Sequence, residues 1–110
     1  MTMHVTLRQL QAFAAVVRTG SFSEAANAMH LSQAALSGLI RELEQRVGVR
    51  LLDRTTRSVS PSAVGEAFDP LVRRVLATLD EALASLSNLK ELRRGVVRLV
   101  EPEPLSCTLM

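Results

Sequence analysis

The sequence predicts a mainly α-helical chain: a three-helix head closed by a small β-hairpin, then one long helix with an apolar stripe. Three observations carry that prediction. Residues 21–47 hold two amphipathic segments separated by a few residues, each opened by a serine that can cap a helix. Residues 51–61 hold short β-branched and polar runs on either side of a Thr55-Thr56-Arg57 tip. Residues 72–89 carry apolar side chains at alternating spacings of three and four.

Helix 1 is expected from about Leu7 to Arg18, with Leu7, Leu10, Ala14 and Val17 as its core stripe, Phe13 beside it and Gly20 ending it. Ser21 is followed three positions later by Glu24, a capping-box pattern, so helix 2 should start at Phe22. Its small residues Ala25, Ala26 and Ala28 allow close packing, and Met29 closes its buried side. His30 and Leu31 make the turn. Ser32 then caps helix 3, which runs from Gln33 to Val47 with Gly48 as a left-handed stop. Leu36, Ile40, Leu43 and Val47 form its apolar stripe. The opposite face holds Gln33, Ala34, Ser37, Gly38 and Arg41: small and polar at the N-terminal end, basic further along.

Leu51 to Pro61 reads as a two-stranded wing, with Arg54 and Arg57 bracketing its tip. A long helix is expected after the cap Ser62, running to about Leu92. Pro70 lies inside it and removes one backbone hydrogen bond, which predicts a bend near 66–70 and not a break. Val72, Val75, Leu79, Ala82, Leu86 and Leu89 form a heptad seam, joined at its start by Phe68. Arg93-Arg94-Gly95 marks a hinge, 96–100 one short strand, and the tail beyond it is expected to be disordered. The expected organisation is therefore a head over 1–61, a linker helix over 62–94, and a hinge strand with tail over 95–110.

Composition narrows the function. The 110 residues are 47% hydrophobic but 3% aromatic, with neither Trp nor Tyr, so the core must be aliphatic with three Phe. Residues 1–60 carry seven Arg against four acids, whereas residues 61–110 carry six Lys or Arg against seven acids. The basic excess thus lies in the half with the paired helices, as a nucleic-acid binder requires. A single cysteine, Cys107, allows no internal disulfide, and His4 and His30 are not spaced as ligands, so no metal or other cofactor is expected. No glycine loop follows a strand and no nucleophile has a base at motif spacing, so the chain is not expected to be an enzyme. The absence of a signal peptide or a twenty-residue apolar run predicts a cytoplasmic protein with no membrane partner.

Two capped helices joined by a tight turn form the helix-turn-helix unit, and the basic hairpin after it makes it a winged one. At these residues the chain resembles the N-terminal DNA-binding domain of the LysR-type transcriptional regulators. The likeness runs through Leu7-Arg8-Gln9-Leu10-Gln11-Ala12-Phe13, Gly20-Ser21-Phe22-Ser23-Glu24-Ala25-Ala26 and Leu31-Ser32-Gln33-Ala34-Ala35-Leu36-Ser37. It continues through Ile40-Arg41-Glu42-Leu43-Glu44, residues 47–55 and Gly65-Glu66-Ala67, and covers roughly residues 5–98. Two positions depart from the family: Ala34 stands where it often has Pro, and Gly38 where it often has Arg or another long polar residue.

The resemblance implies sequence-specific binding of double-stranded DNA by a homodimer that reads an interrupted palindrome. The residues expected to touch DNA are Ser21, Ser23, Ser32, Gln33, Ala34, Ser37, Gly38, Arg41, Arg54, Thr56 and Arg57. The dimer is expected to pair through Phe68, Val72, Val75, Leu79, Ala82, Leu86 and Leu89 on the linker helix. The family's effector-binding domain is expected to be absent, so no small-molecule effector site is expected in this chain. An alternative reading is a dimerisation module that forms mixed dimers with full-length relatives.

Overall fold

The computed structural model describes residues 4–55 and 58–93, with only the backbone described at Arg93. The described residues form four helices and a two-stranded sheet: α1 (Leu7–Thr19), α2 (Phe22–Ala28), α3 (Gln33–Val47), β1 (Leu52–Arg54), β2 (Val59–Pro61) and α4 (Ala63–Arg93). The chain divides into two units, one up to Leu76 and one from Ala77, so α4 contributes to both. Thr56, Arg57, the expected 96–100 strand and the tail lie outside the described residues.

α1 opens with a complete capping box: the Thr6 hydroxyl accepts from the Gln9 backbone N–H, and the Gln9 side chain accepts from the Thr6 N–H. The helix buries Gln9, Ala12, Phe13, Ala15 and Val16. That corrects the sequence expectation of a Leu7, Leu10, Ala14 and Val17 stripe. Leu7 is exposed, and the other three sit half-buried at the margins. The rotation follows from size and bonding. Phe13 is the largest of the fully buried side chains, while the buried Gln9 donates from Nε2 to Glu42 of α3 at 3.1 Å. Gly20 ends the helix at φ 71, a left-handed conformation that only glycine adopts without strain.

α2 is short and packs by its alanines, Ala25 and Ala26. Only half of its expected capping box forms: the Ser21 hydroxyl accepts from the Glu24 N–H at 3.1 Å. Its end is a Schellman arrangement, in which His30 donates to the Asn27 carbonyl and Leu31 to that of Ala26. His30 stands at φ 58 where glycine is usual. α3 has the expected bounds, with Ser32 capping the Ala35 N–H at 3.0 Å and Gly48 left-handed at φ 80. Leu36, Ile40 and Leu43 are fully buried, and Val47 packs at the edge of the core.

The wing is antiparallel, with Leu52 opposite Pro61 and Arg54 opposite Val59. It is anchored by Leu51 and Leu52, both buried. α4 begins where Ser62 accepts from the Gly65 N–H at 3.1 Å and donates to the Arg50 carbonyl at 2.8 Å. Gly65 is buried against the carbonyl of Leu51, where a Cβ would overlap that oxygen. The helix runs through Pro70 without interruption.

The first unit closes over its core with α4 residues that the sequence had placed on the dimer seam. Val72 is 1% exposed among the core side chains, and the Phe68 ring lies 5.6 Å from that of Phe13. Val72 therefore keeps no surface to offer a partner. The reason is periodicity: the first turns of the apolar stripe of α4 cover this chain's own head. In the second unit every described side chain from Ala77 to Leu92 is exposed except Leu79, which is half-buried.

Candidate nucleic-acid interface

The start of α2, the start of α3 and the wing bound an open concavity. Ser21, Phe22, Ser23, Gln33, Ser37, Arg54, Thr55, Ser58 and Val59 line it, with Gly20 at its edge. Each element delivers its residues for a local reason. The Gly20 turn brings Ser21 and Ser23 to the mouth of α2. The tight α2–α3 turn sets the first turn of α3 beside them. The β1–β2 pairing carries Arg54 to the same side.

Five sequence-identified residues thus meet in one place: Ser21, Ser23, Gln33, Ser37 and Arg54. Ser32, Ala34, Gly38 and Arg41 are not part of the lining. They stay on α3, where Ser32, Ala34 and Arg41 are exposed and Gly38 is half-exposed. Gln33, Ser37 and Arg41 stack along one helical row at spacings of four, with Ala34 and Gly38 on the adjoining row. A Cβ added at Gly38 would meet nothing within 4 Å.

Among the described residues, the side chains of Ser23, Gln33, Ser37 and Arg41 hold no hydrogen bond or ion pair, so their donors and acceptors are available to a ligand. Ser21 is partly committed, since its hydroxyl caps α2. Arg54 is held from two sides. Its guanidinium carbon lies 5.1 Å from the Phe22 ring centroid, and its Nη2 lies 3.6 Å from Glu44 Oε1. Chemically the surface offers amide and hydroxyl groups on a helix row, a hydroxyl-rich helix start and a guanidinium at the flank. Those groups suit hydrogen bonding to base edges and phosphate oxygens.

The sequence reading missed Phe22, which lies under Arg54, and the hydroxyl residue Ser58 beside it. It also missed Glu44, whose Oε2 accepts from the backbone N–H groups of Leu51 at 2.8 Å and Leu52 at 3.1 Å. The available signal was an acid one turn before Gly48, just ahead of the wing.

Among the described residues, no helix is long and apolar enough to cross a membrane. The model for bacterial regulatory helix-turn-helix proteins of the lysR family matches residues 7–66. The chain is 38% identical over 104 residues to the HTH-type transcriptional regulator PgrR of Escherichia coli K12, covering 94% of this chain and 35% of PgrR. It is 46% identical over 83 residues to an uncharacterised HTH-type transcriptional regulator in the ibpB-leuC intergenic region of Azotobacter vinelandii, covering 76% of this chain and 58% of that protein. The chain thus spans roughly a third to three fifths of the length of these relatives.

Among solved structures, the BenM DNA-binding domain in complex with catB site 1 DNA matches with a TM-score of 0.74 at 32% identity, covering 77% of this chain and 96% of that one. Vibrio fischeri DarR in complex with DNA matches with a TM-score of 0.75 at 29% identity, covering 82% of this chain and 31% of that one.

Proposed function

Because the chain belongs to the lysR family of bacterial regulatory helix-turn-helix proteins, we propose that it is a transcription regulator whose α3 reads double-stranded DNA as part of a homodimer. The observation that carries this reading is the single concavity lined by Ser21, Ser23, Gln33, Ser37 and Arg54 beside the outward rows of α3. The DNA bound by the BenM domain and by DarR in their complexes supports it.

The roles follow from the chemistry. Gln33 and Ser37 carry the groups that discriminate base edges, a Gln amide being able to bridge adenine N6 and N7. Ala34 and Gly38 add no bulk, so α3 can sit deep in a major groove. Arg41 at the helix flank, and Arg54, Thr56 and Arg57 of the wing, meet phosphates or the adjoining minor groove. Ser21, Ser23 and Ser32 supply hydroxyls at helix starts, where the backbone dipole also favours phosphate.

Two heads need a connection that fixes their spacing. Val75, Leu83, Leu86 and Leu89 of α4 are exposed apolar side chains, and Leu79 and Ala82 lie in the same stripe. A second copy of that stripe would cover them and set two half-sites in an interrupted palindrome. The same surface would accept α4 of a longer relative in a mixed dimer. A regulator acting on the bacterial chromosome works in the cytoplasm, and none of the groups invoked requires catalysis.

The test is selection from a pool of random duplexes by the purified protein at two salt concentrations. The expected result is enrichment of a two-fold-related sequence, with affinity falling steeply as salt rises. No binding at either salt would sink the reading. Enrichment of a single unpaired half-site would sink its dimeric part.

A further inference from the structure

We propose that Glu44 is a positioning residue for the DNA grip: its carboxylate fixes the root of the wing and, with the Phe22 ring, holds Arg54 on the concavity. The inference rests on the duplex-binding reading and adds to it a residue that does not itself face the ligand.

The two carboxylate oxygens are divided between two tasks. Oε2 accepts the N–H groups of Leu51 and Leu52, the residues that lead into β1, at 2.8 and 3.1 Å. Oε1 lies 3.6 Å from Nη2 of Arg54 at the far end of the same strand. Glu44 is well covered, with 18% of its side chain exposed, whereas 46% of Arg54 is exposed. The Phe22 ring at 5.1 Å supports the guanidinium as a second, uncharged tether.

A separation of 3.6 Å attracts without spending a close hydrogen bond, and a guanidinium has five N–H donors. Arg54 is therefore restrained while its donors remain available to a phosphate. Restraint matters because a free arginine gives up rotamer freedom when it is fixed on a ligand.

A simpler view treats Glu44 as one more acid near an anion-binding surface, and the two views differ in sign. As a mere counter-charge, Glu44 repels DNA, and neutralising it strengthens binding. As a positioning residue it aids binding, and neutralising it weakens binding, but only while Arg54 is present.

Glu44→Gln keeps an acceptor oxygen for the backbone N–H groups and replaces the attraction for Arg54 with an amide. Binding to a labelled duplex of scrambled sequence at low salt should weaken by about 2–5-fold, the range of one exposed ion pair. The same substitution in an Arg54→Met background should cause no such loss. Thermal unfolding of each variant checks that the head is folded. Phe22→Leu, which leaves the Glu44 hydrogen bonds intact, provides a second route and should also weaken binding only when Arg54 is present. Equal or tighter binding by Glu44→Gln, or an equal loss in both backgrounds, would overturn the proposal. Failure of the unmodified protein to bind the duplex at all would overturn the duplex-binding reading and this inference with it.

Discussion

Gly38 and Gly65 both lie within helices, yet their surroundings demand opposite things of a side chain. A methyl group at Gly38 meets open space, whereas at Gly65 it meets the Leu51 carbonyl. Gly38→Ala should therefore raise stability by about 0.5–1 kcal/mol through helix propensity alone. Gly65→Ala should lower it by about 1–3 kcal/mol, because α4 must back away from the start of the wing. Denaturant unfolding of the two variants tests the contrast, and a loss of stability at Gly38 would show that its neighbourhood is misjudged. At base-reading positions the expected effects fall on binding. Gln33→Ala or Ser37→Ala should cost about 1–3 kcal/mol on the selected operator and little on scrambled duplex. Equal losses on both would remove those residues from the reading role.

At the scale of the element, what could be read from the sequence was what is decided locally. Ser32, Gly48 and the Leu36–Ile40–Leu43 row define α3 within its own length, and its bounds matched. The α1 stripe did not match, because its rotation depends on Phe13 meeting Phe68 and on Gln9 reaching Glu42, partners 55 and 33 residues away in the chain. Glu44 reads in the sequence as a solvated helix acid, and its anchoring role was hidden for a related reason: its partners are backbone N–H groups, which leave no mark on side-chain pattern. The periodicity of α4 was legible, but a period cannot say whether the stripe is covered by the same chain or by another. The two halves of α4 make that testable. Val72→Ala should cost about 2 kcal/mol of head stability, from lost methyl groups and the cavity they leave. Leu86→Ala should leave the head's unfolding unchanged, since Leu86 is 57% exposed.

For the whole molecule, the proposed dimer places function on two surfaces with separate energetics. Leu86→Asp puts a charge in the stripe beside Leu83 and Leu89 and should convert the dimer to monomer in sedimentation velocity, with head unfolding unaltered. Its binding to scrambled duplex should fall less than its binding to a two-half-site operator, because only the operator needs both heads in register. Persistence of the dimer would place the interface elsewhere. The grouping of four of the concavity's lining residues was legible in the sequence, since the two capping serines and the turn fix where Ser21, Ser23, Gln33 and Ser37 go. The ring and carboxylate that restrain Arg54 were not visible, being products of how α3, the start of α2 and the wing converge.

The placement of Phe68 and Val72 in the core of the head also has a consequence for synthesis of the chain. A ribosome that has delivered residue 61 has delivered every side chain proposed to touch DNA. It has not yet delivered the ring that packs on Phe13 or the valine enclosed beside the other core residues. The core of the nascent head lacks these two members until the first turns of α4 leave the exit tunnel. By then the wing and both paired helices have emerged, so the surface proposed to grip DNA is delivered before the core is complete.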